Sequence, residues 1–174
     1  RLLKEIVCPH CWTTFSPENV LWIAEDPSLS GDDRLGEMER LRFLPTEYDE
    51  YGTPYDAKGN LCRDIACPHC HLKLPAPSLD SPPLFMSIVG APACGKSYYL
   101  ASSTWAMRQL MPQKFQINFT DADPGMNHRL HEYETMQFLN EGGGLVKIEK
   151  TQEQGDPYDA VRIGGQTFVY PQPF

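Results

Sequence analysis

The sequence predicts an α/β protein in two parts: a small zinc-ribbon-like β module, then the first part of a P-loop NTPase sheet with its helices. Three observations carry that expectation. The tetrapeptide Cys-Pro-His-Cys occurs twice, at residues 8–11 and 67–70. The octet Gly90-Ala91-Pro92-Ala93-Cys94-Gly95-Lys96-Ser97 fits G-x-x-x-x-G-K-[ST] and lies between an apolar run and a helical stretch. Residues 74–83 hold four prolines, which reads as a stiff linker with a boundary near residue 80. The expected domains are therefore residues 1–80 and 81–174.

Composition narrows the function classes. The 174 residues are 41% hydrophobic and 22% charged, enough for one ordinary domain and a small module. A net charge of −8 argues against a general nucleic-acid surface, which needs clustered Lys and Arg. No apolar run approaches the roughly 20 residues of a membrane span. The start, Arg1-Leu2-Leu3-Lys4-Glu5, has neither an initiator Met nor a signal-peptide core, and reads as a piece cut from a longer protein. Two C-x-x-C pairs beside a nucleotide motif point to a reducing cytoplasm and a metal.

In the first module, Cys8, Cys11, Cys67 and Cys70 form two knuckles that together offer four soft ligands to one structural Zn²⁺. The 55 intervening residues do not preclude this, because loop closure costs rise only logarithmically with length. Cys62 and His71 are competing ligands; the symmetric four-Cys set is simpler, with Cys62 a packed thiol. His10 and His69 are expected to point outward. Trp12, Phe15, Val20, Leu21, Trp22 and Ile23 form a small apolar cluster, and Ser16 opens a short helix or turn. Residues 28–36 read as a polar loop and residues 42–45 as extended. Turns at Gly52 and residues 58–60 bracket Asp56. Tyr48, Tyr51 and Tyr55 are expected to pack over a thin metal-stapled core.

In the second domain, the apolar run 84–89 reads as a strand leading into the octet. Residues 97–110 read as a helix stopped by Pro112. Phe115, Ile117 and Phe119 alternate as in a strand with one face buried. Met126, Leu130, Tyr133, Met136, Phe138 and Leu139 suit an amphipathic helix, ended by the glycines at 142–144. A hairpin-like stretch at 145–151, a loop at 152–157, and strands at 160–163 and 166–170 follow. The domain is expected to be incomplete at its C-terminus.

Strand, glycine loop and helix together make a phosphate site. Backbone N–H groups of the loop converge on the phosphates, and the helix N-terminus adds partial positive charge. Gly90, Ala91, Pro92, Ala93, Cys94, Gly95, Lys96, Ser97 and Tyr98 are the expected nucleotide contacts. Lys96 reaches the β- and γ-phosphates and Ser97 ligates Mg²⁺. Asp121 and Asp123, following a strand, are candidate second anchors for Mg²⁺, with a helix N-cap as the alternative. Thr151 is a candidate switch threonine that closes on Mg²⁺. N-K-x-D does not occur, and no D-x-x-G follows the octet, so the base is not readable from these residues.

The segments C-P-H-C-H-L-K-L-P (residues 67–75), G-A-P-A-C-G-K-S-Y-Y-L (90–100) and N-F-T-D-A-D-P (118–124) resemble bacterial zinc-ribbon-linked GTPases of the TRAFAC clade. These are sometimes called double-GTPase proteins and occur in multi-gene systems proposed to act in biological conflict. The resemblance implies nucleotide contacts at Gly90, Gly95, Lys96 and Ser97, and zinc on Cys8, Cys11, Cys67 and Cys70. It also implies a D-x-x-G segment after a strand like residues 166–174, and no D-x-x-G follows the octet here.

The expected function is Mg-nucleotide binding, GTP with ATP as the alternative, with hydrolysis and switching in a longer protein. The zinc module is expected to dock a protein partner or the nucleotide domain. An ATP-using kinase-like transferase and a non-catalytic zinc scaffold are the competing readings.

Overall fold

The computed structural model describes residues 3–140 and 158–172. It divides into two units: Arg1–Phe85 with Tyr158–Pro173, and Met86–Pro157. The divide at Phe85 falls near the expected boundary. The C-terminal hairpin, however, belongs to the first unit and not to the second.

The first unit is built on two copies of one small motif. Strands β1 (Ile6–Val7) and β2 (Thr14–Phe15) pair antiparallel around the first knuckle. Strands β7 (Ile65–Ala66) and β8 (Lys73–Leu74) do the same around the second. A one-turn 3-10 helix follows each hairpin, Pro17–Asn19 and Ala76–Leu79. The sequence duplication thus extends beyond the knuckles. It also takes up most of the expected linker: Leu74 is fully buried, and the Leu79 carbonyl accepts the Leu3 N–H at 3.0 Å.

Between the copies, β3 (Leu21–Ile23), β4 (Ser30–Asp32), β5 (Gly36–Arg40) and β6 (Arg42–Phe43) follow in order. Strand β3 pairs with both β6 and β7, giving a four-stranded sheet in the order β6-β3-β7-β8. Strand β4, inside the expected loop at 28–36, forms a hairpin with β5. Every residue of β5 is exposed, so no alternation marked it, and the backbone ladder holds it in place. Ile6, Phe15, Val20, Ile65, Leu72 and Leu74 form the core beside the cysteines. Tyr48 and Tyr51 are exposed and do not cover that core.

The hairpin of β9 (Tyr158–Ile163) and β10 (Gln166–Pro171) closes over the Gly164-Gly165 turn. It adds Val161, fully buried, to the same core, and the Arg162 N–H donates to the Arg34 carbonyl at 2.8 Å.

The second unit contains α1 (Lys96–Leu110) and α2 (His128–Phe138). A π-helical turn, Met111–Phe115, extends α1 through Pro112. Ala101 of α1 packs on Tyr133 of α2, and Trp105 stacks on Phe138 with ring centroids 5.0 Å apart. Among the unit's described residues there is no strand. The runs at 84–89 and 115–120, expected as strands, have no ladder partner, and Leu84, Val89 and Phe115 are exposed. A buried parallel strand needs neighbours on both sides, and none of the described residues supplies them. Residues 141–157, with the glycine stop, the expected hairpin-like stretch and Thr151, lie outside the described residues. Among the described residues no helix is long and apolar enough to cross a membrane.

Candidate metal centre and phosphate loop

Each knuckle is a turn fixed by the same two backbone hydrogen bonds. The Trp12 N–H donates to the Cys8 carbonyl at 3.0 Å, and the Cys8 N–H to Thr13 at 3.0 Å. In the second copy, His71 donates to Cys67 at 2.9 Å and Cys67 to Leu72 at 3.0 Å. Trp12 and His71 both hold left-handed backbone, with φ of 61° and 62°. That conformation is uncommon for non-glycine residues, and here the knuckle turn imposes it. The turn aims both thiols of each knuckle to one side.

The four thiols converge. Cys8 Sγ lies 3.7 Å from Cys70 Sγ, and Cys11 Sγ 3.8 Å from Cys67 Sγ. All four sulfurs lie within 4.8 Å of one another. Zinc–sulfur bonds of about 2.3 Å at tetrahedral angles set the sulfurs about 3.8 Å apart, so the cluster fits the ion. The separations exclude disulfides, whose sulfurs are about 2.0 Å apart. Without metal, thiol hydrogen bonds share the protons unequally. Bonds from Cys70 and Cys8 push Cys67 far below the usual thiol range, and bonding to Cys67 pushes Cys8 and Cys70 well above it. A bound dication removes that competition by deprotonating the ligands.

Neither competing residue joins the cluster. Cys62 is buried, and its thiol donates to the Asn60 carbonyl at 3.8 Å. His71 turns to Asp32, with Nδ1 to Oδ2 at 2.8 Å. His10, expected to point outward, is buried instead, and its Nε2 donates to the Lys73 carbonyl at 3.0 Å. It thereby ties the first knuckle to the second hairpin. Burial lowers its pKa, against the bond to the Lys73 carbonyl, which favours the charged ring.

The octet of the second unit forms a ring in front of α1. Ala93 and Gly95 take left-handed backbone, with φ of 62° and 91°, and Gly95 is the N-cap of α1. A Cβ at Gly90 would meet Cys94 Sγ at 2.6 Å, so any larger residue there requires the Cys94 side chain to move. Lys96 Nζ donates to the Gly90 carbonyl at 2.8 Å and the Ala91 carbonyl at 3.0 Å. Its ammonium thus sits against the loop rather than in open solvent.

No protein-family profile, curated protein or solved structure matches the chain.

The two aspartates expected near Mg²⁺ have other work. Asp121 accepts a two-pronged pair from Arg108, at 2.9 and 2.7 Å, with further bonds from Asn127 Nδ2 at 2.7 Å and His131 Nε2 at 3.1 Å. The Arg108 bond leads in holding the Asp121 carboxyl down at about 2. A metal there would have to displace the guanidinium. Asp123 Oδ1 accepts the Gly125 N–H at 2.8 Å and the Met126 N–H at 3.2 Å, bracing the turn into α2. Arg108 also reaches Glu134 Oε2 at 3.5 Å, and Thr104 donates to Glu134 Oε1 at 2.6 Å. This network, invisible in spacing, joins α1 to α2.

Proposed function

We propose that the chain is a zinc-stapled, Mg-nucleotide-binding protein of the cytoplasm, with GTP as its nucleotide and zinc held by Cys8, Cys11, Cys67 and Cys70. The octet's conformation carries the nucleotide half. A left-handed Ala93 and Gly95, and Lys96 folded onto the loop at the head of α1, suit a phosphate cradle. Ser97 at the first turn of α1 would take Mg²⁺, and Gly90–Tyr98 would surround the phosphates. The sulfur spacing supports the zinc half, in which the metal contributes folding energy and no chemistry.

Hydrolysis, with a switch role and a protein partner docked on the zinc unit, is the form that the resemblance to zinc-ribbon-linked GTPases favours. ATP binding by a kinase-like transferase is the second reading.

Calorimetric titration with GTP and with ATP, in Mg²⁺, separates these. GTP is expected to bind the wild type, and Lys96→Ala to abolish binding with zinc content unchanged. ATP preferred over GTP would favour the transferase. No affinity for either nucleotide would leave a metal-stapled scaffold and sink the nucleotide claim.

A further inference from the structure

The β4–β5 hairpin brings Asp32 and Asp33 to His71, the residue that follows the last cysteine ligand. Asp32 is buried, and its Oδ1 accepts the Arg34 N–H at 3.0 Å and the Leu35 N–H at 2.9 Å. That leaves Oδ2 facing His71 Nδ1 at 2.8 Å, and Asp33 Oδ1 lies 3.3 Å from the same nitrogen. The knuckle turn fixes His71 from one side, and Arg42 Nε, donating to the His71 carbonyl at 3.2 Å, fixes it from the other. These three residues line one end of an open cleft of about 670 Å³, whose other walls include Phe15, Leu21 and Phe43.

We infer that Asp32, Asp33 and His71 form a second metal site, open to this cleft, for an exchangeable divalent ion of the Mn²⁺ kind. The donor atoms lie within 4.8 Å of one another. An ion held at about 2.1 Å by donors at right angles sets neighbouring donors about 3.0 Å apart. The observed 2.8 and 3.3 Å lie on either side of that value. Two carboxylates balance a dication, and an oxygen-rich set with one imidazole sorts metals differently from four thiolates. Three protein ligands leave positions for water or a ligand oxygen, as in sites that exchange or react. The cleft gives those positions room. An Asp–His hydrogen bond alone would account for Asp32. It does not account for Asp33, whose side chain is 79% exposed and still turns an oxygen toward the same ring nitrogen.

The test uses the full chain carrying one zinc, without nucleotide, titrated with Mn²⁺ while the paramagnetic resonance signal of the free ion is followed. Mn²⁺ avoids the thiolates, so it reports the second site alone. Wild type is expected to take up one Mn²⁺. Asp33→Asn, at an exposed position, is expected to lose that uptake with zinc content and thermal unfolding unchanged. His71→Asn, which tolerates the left-handed backbone, is expected to lose it as well. No Mn²⁺ uptake by wild type, or uptake by Asp33→Asn equal to wild type, would overturn the assignment.

Discussion

Asp56 shows how one carboxylate organises the segment between the knuckles. Its Oδ2 accepts the N–H groups of Glu25 and Asp26 at 3.1 and 3.0 Å; its Oδ1 accepts those of Lys58 and Asn60 at 2.9 and 3.0 Å. Two turns distant in sequence are thereby fixed to one another. Desolvation opposes the charge, but the backbone donors, Asn60 first, hold the carboxyl down to about 2 from an ordinary 3.8. Because the folded value is depressed, the stabilisation is complete above about pH 4 and is lost as pH falls toward 2. Asp56→Asn is expected to destabilise the first unit by about 1–3 kcal/mol at neutral pH, since an amide cannot accept all four bonds. Its stability should also vary less than that of wild type between pH 4 and 2; an identical acid limb would contradict the role. The cysteines were legible in the sequence because ligand type and spacing are local. The distant partners of Asp56 (Glu25 and Asp26), His10 and His71 were not, because each lies more than twenty residues away, on an element whose position only the fold determines.

At the scale of elements, the two knuckle hairpins share one core. Ile6 and Ile65 occupy matching places in β1 and β7, and both are buried beside the cysteines. Ile65→Ala is expected to cost about 2–5 kcal/mol in chemical unfolding, as for other large-to-small changes in a packed core. A loss under half a kcal/mol would mean that the core is not where the packing puts it. Helices α1 and α2 and the β9–β10 hairpin could be read in advance, since periodicity and a Gly-Gly turn are local signals, whereas the expected stop at Pro112 is overridden by the π-helical turn. The β4–β5 hairpin lacked such a signal, being exposed along all of β5. The apolar runs at 84–89 and 115–120 carried the opposite risk: their composition suits strands, yet strand formation depends on partners that composition does not reveal.

Across the whole molecule, the chain leaves the first unit at Phe85 and returns to it at Tyr158. The cysteines join segments separated by 62 and 56 residues, and Val161 adds a third distant segment to the same core. Few local contacts support such long closures, and a metal that crosslinks them stabilises the folded state directly. A strong chelator is expected to lower the unfolding temperature of the first unit, with recovery on adding zinc. An unchanged melting curve after verified metal removal would mean that the core holds without the staple.

The most direct measurement is X-ray absorption at the zinc edge, on protein carrying one equivalent of zinc. Convergence of Cys8, Cys11, Cys67 and Cys70 predicts a first shell of four sulfurs at about 2.3 Å and no nitrogen or oxygen. A mixed shell, or protein that retains no zinc under reducing conditions, would contradict the four-cysteine centre.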